Sequence, residues 1–279
     1  MIIEMKVTVT VDRSANLLAP VGLSTPAATR LGVEVEGADA ARVTCAALQQ
    51  GALILTPTAD RITLRYGFDA AAAPCPEAMF APHDSRYTRA HPDLAAEAQE
   101  IVADGGIAAM VAHVTSMFDY GHTDDRFYDE ADAMPQLCDM TTGSCVDINA
   151  YLVAGLRAAR VEAGYVAGYF VPEERRDHTT DMHCWVATRE GGQVQHWDIA
   201  HHLKMGRRDI RPGLNPKPGV RVAMSHSMGW TLPGVPFADF KLLGEPVWFD
   251  AGGWDQAACR FELSGYDALD AAQNQPVHA

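Results

Sequence analysis

The sequence predicts an α+β protein: a small antiparallel β-sandwich over residues 1–80, then a domain over 86–265 in which helices pack on an antiparallel sheet. Three observations lead there. Met5, Val7, Val9 and Val11 alternate with Glu4, Lys6, Thr8 and Thr10, and Ile62, Leu64, Tyr66 and Phe68 alternate with Arg61, Thr63 and Arg65. A period of two is that of a half-buried strand. Residues 69–84 are then rich in Ala and Pro, which marks a boundary. Beyond it the apolar residues recur at helical spacing.

Shorter strands are expected at 32–36, 41–46 and 52–56, with turn residues between them. Helices suit 92–103 and 107–118; the second gathers Ile107, Met110, Val111 and Val114 on one face. A polar loop follows over 121–135. Thr141-Thr142-Gly143-Ser144 opens a third helix, in which Ile148, Leu152, Leu156 and Ala159 bury one side. Strands are expected at 165–171, 182–188 and 194–199, the last two joined by a tight turn at Gly191-Gly192. Residues 203–236 hold many Gly and Pro and read as long loops with short strands. Closing strands fit 247–249 and 259–263, and 266–279 reads as a frayed tail.

The formal net charge of −14 disfavours nucleic acid, whose phosphates demand Lys and Arg, and equally an anionic membrane surface. No segment approaches the ~20 apolar residues that cross a bilayer, and the first residues lack the pattern of a secretory signal. The expectation is a cytoplasmic chain with reduced thiols. Its six cysteines, Cys45, Cys75, Cys138, Cys145, Cys184 and Cys259, form no Cys-x-x-Cys pair.

One of them is placed for chemistry. Cys145 opens a helix, where unpaired N–H groups and a partial positive charge favour thiolate over thiol and can hold an oxyanion. A catalytic thiolate also needs a base and a group that orients the base. His183 and Asp198 supply both types on adjacent predicted strands. If the turn is Glu190-Gly191, His183 lies opposite Asp198. If it is Gly191-Gly192, His183 lies opposite Ala200 and Asp198 is its diagonal neighbour. Either register puts imidazole and carboxylate on one face. Cys184 falls on the other face of its strand, away from His183, and is not the expected nucleophile.

Gly143-Ser144-Cys145-Val146-Asp147, Leu156-Arg157-Ala158-Ala159, Gly164-Tyr165-Val166-Ala167-Gly168-Tyr169, His183-Cys184-Trp185-Val186 and Trp197-Asp198 occur in this order. Together they resemble the transglutaminase-like superfamily, in particular its bacterial members of the cysteine-protease type with a β-rich N-terminal region. The resemblance implies a papain/transglutaminase-like core and acyl transfer on amide bonds through Cys145, His183 and Asp198. It implies hydrolysis of a peptide or carboxamide before amine transfer, and no cofactor. Two places depart from the family pattern: Ile199-Ala200 stands where Pro-Thr usually follows the Asp, and Arg160-Val161-Glu162-Ala163-Gly164 replaces the usual Gly-x-Pro-Ala-Arg link. Neither touches a triad side chain, so the departures bear on specificity.

Ser144, Trp185, Gln136 and Tyr120 are further candidates for substrate or oxyanion contacts, with Trp185 expected beside the imidazole. His178, His183, His196, His201 and His202 lack metal-ligand spacing, and His201-His202 on an extended segment would point apart, so no metal site is expected. The acidic run from Asp124 to Asp132 reads as a solvated loop that could also wall the cleft. The rival reading is a non-catalytic scaffold that binds a protein partner; an unsubstituted Cys-His-Asp set argues against it.

Overall fold

The structure, a computed structural model, describes residues 2–213 and 215–274. Six strands come first: β1 (Ile2–Thr10), β2 (Asn16–Pro20), β3 (Thr29–Glu36), β4 (Ala38–Cys45), β5 (Gln50–Pro57) and β6 (Arg61–Asp69). Then follow α1 (Glu77–Phe80), α2 (Pro92–Met117), β7 (Phe118–Tyr120), β8 (Thr141–Gly143) and α3 (Cys145–Ala158). β9 (Glu162–Pro172), β10 (His178–Thr179), β11 (Asp181–Glu190), β12 (Gln193–Trp197), α4 (Ile199–Lys204) and β13 (Gly219–His226) continue the chain. It closes with β14 (Val247–Asp250), β15 (Gly253–Gln256), β16 (Cys259–Ser264) and α5 (Tyr266–Gln273).

Ile3, Met5, Val7 and Val9 are fully buried while their neighbours face outward, as the alternation requires. β1 pairs with β6, Val7 opposite Leu64, and on its other side with β16, Val7 opposite Phe261. The resulting sheet has the order β10-β16-β1-β6-β3. A second sheet, β15-β14-β2-β5-β4, faces it across a shared core to which Val7, Leu64 and Phe261 contribute from one side and Leu17, Leu55 and Trp248 from the other. Burying each such side chain stabilises the fold by about 1.5–3 kcal/mol. Both sheets are therefore completed by strands from the end of the chain.

The third sheet, β12-β11-β9-β13, is antiparallel throughout. Part of it, including Tyr169, Val171, Val220 and Val222, joins the sandwich core. Next to that region α3 lies on the same sheet: Ile148, Leu152 and Leu156, four residues apart, are buried with Tyr165, Ala167, Cys184 and Val186. The helix that bears Cys145 is thus packed on an antiparallel sheet, in a mixed α/β chain with a β-rich start.

Residues 92–117 form two helices interrupted at Gly106, whose φ of +67° and ψ of −160° break the helical path where the sequence placed a gap. Within the Ala/Pro-rich stretch Cys75, Met79 and Phe80 are buried. Three expectations change. β12 ends at Trp197 and Ile199–Lys204 is helical, because the Asp198 carboxylate caps that helix by accepting the His201 N–H at 2.9 Å. β13 lies in the region read mainly as loop; its residues after Gly219 are buried whichever way they point, so no alternation announces it. The first part of the expected tail is α5, anchored by buried Tyr266 and Leu269, while 275–279 lie outside the described residues.

Candidate active site

Cys145 is the first residue of α3, behind Ser144. The turn is fixed by Asp147, whose Oδ2 accepts the Ser144 backbone N–H at 2.8 Å and the Ser144 hydroxyl at 2.6 Å. Its Oδ1 accepts the Tyr128 hydroxyl at 2.5 Å and lies 3.3 Å from Arg126 Nε. A carboxylate at the third helical position complements the N-terminal dipole, and the salt bridge offsets its burial. Gly143 precedes because a Cβ there would sit 3.0 Å from the Phe118 ring. β8 needs that closeness to run parallel to β7.

His183 stands on β11 opposite Gly168 of β9. β11 and β12 meet through Gly191-Gly192, both at positive φ (+57° and +80°), with Glu190 paired to Gln193. This is the second of the two registers anticipated, and it carries Asp198 one residue past the strand, into reach of the imidazole. His183 Nε2 and Asp198 Oδ2 are 2.8 Å apart, with both side chains almost completely buried. The same oxygen takes a terminal nitrogen of Arg221 from β13, also buried. One Asp198 oxygen therefore caps α4 while the other meets an imidazole and a guanidinium.

Three groups act on the Cys145 thiol: the Cys184 side chain, the His183 side chain and the Cys184 backbone. The first of these stabilises the Cys145 thiolate most; burial works against it, and the bond to His183 and its positive charge restore the balance. Cys145 is consequently held well below the ordinary thiol range. Burial pushes Cys184 well above it, so Cys184 keeps its proton as the donor. For His183, burial alone would lower the imidazole, but the Asp198 charge and hydrogen bond, with Cys145, raise it above its usual value. Asp198 is disfavoured as an anion by burial, yet His183 and Arg221 hold it well below the usual carboxylate range. Both directions favour a thiolate beside an imidazolium.

Of the other residues singled out, Trp185 stacks near His183, ring centroids 6.2 Å and planes 25° apart, with the Arg221 guanidinium 5.1 Å from its ring. Ser144 adjoins Cys145, but its hydroxyl is engaged by Asp147. Tyr120 is half-buried on β7; its hydroxyl meets His122 at 3.3 Å and the Lys204 ammonium lies 4.5 Å from its ring. Gln136 is exposed in the loop ahead of β8. The acidic run does reach the wall of a neighbouring cavity, through Arg126.

Four participants escaped the sequence reading. His201 stacks on His183, and its place three residues after Asp198 was a usable signal once a helix cap there was considered. Arg221 had none, being on the unannounced strand. Asp147 was legible as the acidic third position of a cap. Cys184 was judged by strand parity alone. It does face the α3 side, away from His183, but that is the side from which the Cys145 thiol approaches β11.

The donor atoms of His183, Asp198 and His201 lie within 4.8 Å of one another. They suit a cation poorly: Arg221 already places a positive charge on the shared Asp198 oxygen, and the two imidazoles are parallel instead of converging on a point. A cavity of about 420 Å³ has Val146, which follows Cys145, and Met182, which precedes His183, in its wall. The larger cavity, about 910 Å³, is formed by residues 11–16, 56–59 and 249–251, none of which belongs to this buried group.

Residues 94–197, the segment carrying Cys145 and His183, match the model of the transglutaminase-like superfamily. The chain as a whole is similar to the solved structure of a candidate cysteine protease from Cytophaga hutchinsonii, at 13% identity and a TM-score of 0.50, over 95% of this chain and 97% of that one. It also matches the periplasmic domain of TgpA from Pseudomonas aeruginosa at 18% identity and a TM-score of 0.38, over 72% of this chain and 75% of that one. A comparison with curated proteins found no match. Among the described residues no helix is long and apolar enough to cross a membrane.

Proposed function

We propose that this chain is a cysteine-dependent amidase that hydrolyses a peptide or carboxamide through Cys145, His183 and Asp198. The observation that carries the reading is the position of one buried imidazole, 2.8 Å from the Asp198 carboxylate and close enough to Cys145 to lower its thiol. The Cys145 thiolate attacks the amide carbonyl, and the N–H groups at the start of α3 receive the oxyanion. His183 protonates the leaving amine as the C–N bond breaks. It then takes a proton from water, which attacks the thioester and frees the acid and the Cys145 thiolate. Asp198 keeps the imidazole oriented and its charge compensated.

Hydrolysis and amine transfer use the same residues, so the products decide between them. The protein is incubated with glutaminyl and peptide amides, with and without a primary amine, beside Cys145→Ala. Release of free acid that the amine does not divert is the expected result. Amide products formed at the expense of acid would make it an amine transferase. Equal behaviour of Cys145→Ala in every assay would overturn the catalytic reading.

A further inference from the structure

Resting on that reading of Cys145, we infer that the 420 Å³ cleft beside the thiol binds an apolar, preferentially aromatic, side chain of a peptide acyl donor. Two residues of its wall are chain neighbours of the reacting groups. Val146 follows Cys145 in the first turn of α3, and Met182 precedes His183, with its sulfur 3.7 Å from the Cys184 sulfur. The opposite wall is supplied by Phe237, Phe240, Leu242 and Trp254. Phe240 and Trp254 meet edge to face with centroids 5.1 Å apart, and Phe237 lies 5.5 Å from Phe240. Trp254 keeps 54% of its surface exposed, which is uncommon for so large an apolar group and leaves an open aromatic face at the rim. The volume is of the order that encloses one aromatic side chain with its flanking backbone.

Four charged residues also line the cleft, and each is already engaged. Arg126 lies 3.3 Å from Asp147 and 3.8 Å from Asp129. Lys241 lies 3.3 Å from the Tyr128 hydroxyl and 3.9 Å from Asp129. Asp239 accepts from Ser85 at 2.9 Å, and Glu245 accepts from Gln256 at 2.7 Å. A charged substrate side chain would have to break one of these pairs and shed its own water. An apolar one only displaces water from aromatic surface. Burial and the nearby Arg126 also bring the Lys241 ammonium down to about 8, which weakens it as an anion lure.

The test uses peptidyl chloromethyl ketones that differ only in one side chain, Phe, Ala, Asp or Lys. Each forms a thioether with Cys145 Sγ as chloride leaves. Dividing by the iodoacetamide rate of the same protein removes changes in the thiol itself. The Phe reagent is expected to label Cys145 at least tenfold faster than the Ala reagent, and the Asp and Lys reagents no faster than Ala. Trp254→Ala, an exposed position with little bearing on folding, is expected to cut the Phe-to-Ala ratio at least threefold; Phe240→Leu, milder on the buried side, should also lower it. A ratio near one, an unchanged ratio in Trp254→Ala, or fastest labelling by Asp or Lys would overturn the inference. Failure of iodoacetamide itself to single out Cys145 would instead overturn the catalytic reading beneath it.

Discussion

The imidazoles of His183 and His201 lie face to face, their centroids 3.8 Å and their planes 4° apart. Two cations cannot share that geometry. Burial, and then the charge of His183, bring His201 down to about 3, so it is the neutral partner at every working pH. Its Nδ1 is 2.9 Å from Asn215 Oδ1. His201→Phe preserves a ring against His183 and should keep most activity. His201→Ala leaves a void beside the base and should lower kcat by roughly tenfold with little change in KM, as expected when a group acts only through the base it positions. Equal loss in both variants would show that the ring contact is not what matters.

The thiolate–imidazolium pair sets the pH behaviour. Cys145 lies below its ordinary value of 9.0 and His183 above its ordinary 6.5, so the two shifts widen the pH range in which both charges coexist. Activity should follow a bell, rising as Cys145 ionises and falling as His183 loses its proton above pH 6.5. Iodoacetamide at pH 6 should label Cys145 ahead of the other five cysteines. His183→Ala should slow that labelling and lower turnover by about 10²–10⁴-fold. A labelling profile with its midpoint at or above 9 would contradict the pair.

Cys184 is the donor that most lowers Cys145. In Cys184→Ala the thiolate loses an S–H bond but retains the backbone N–H of residue 184. Alkylation of Cys145 at pH 6 should slow by about three- to tenfold, the worth of one ordinary hydrogen bond, while the rate at pH 9.5 stays close to that of the parent. Strand parity alone had suggested that this substitution would be silent. A profile that does not move would restore that view.

Arg221 and Asp198 form a buried ion pair, their side chains 1% and 0% exposed. Removing one partner strands the other's charge, at a cost of about 3–5 kcal/mol. Arg221→Met should therefore lower Tm markedly, and Arg221→Lys less so. Asp198 is held below its usual 3.8, so its contribution is fully present above that pH and is lost only as pH falls through the depressed value. Without Arg221 the depression shrinks, and acid unfolding should begin at a higher pH. Asp198→Asn should keep the α4 cap but move the alkaline limb of the activity bell downward, because the charge that raises His183 is gone. An unshifted limb would mean that Asp198 does not act on the imidazole.

Much of this was legible in the sequence for identifiable reasons. The alternation of β1 and β6 survives because each has one face in the sandwich core. α3 is readable from its apolar stripe and its acidic cap. The Gly191-Gly192 turn was enough to bring His183 and Asp198 together in either even register. What stayed hidden has equally physical causes. β13 is buried on both faces and so has no period. Asp198 ends a strand and starts a helix, and a residue that plays both parts carries the pattern of neither. Cys184 was placed on the correct face, but a helix start can reach a strand's backbone as well as its side chains.

The pairing of β1 with β16 has a consequence for how the chain is made. Val7 finds Phe261 only after the roughly 250 residues between them have been made. At ~5–20 residues per second, one margin of the first strand waits on the order of 10–50 s for its neighbour. During that interval it is an open template for other nascent chains. Fragments that stop before residue 259 should therefore accumulate in inclusion bodies whatever the soundness of their thiol site. Supplying the missing segment in trans as a peptide should rescue solubility before it rescues any chemistry.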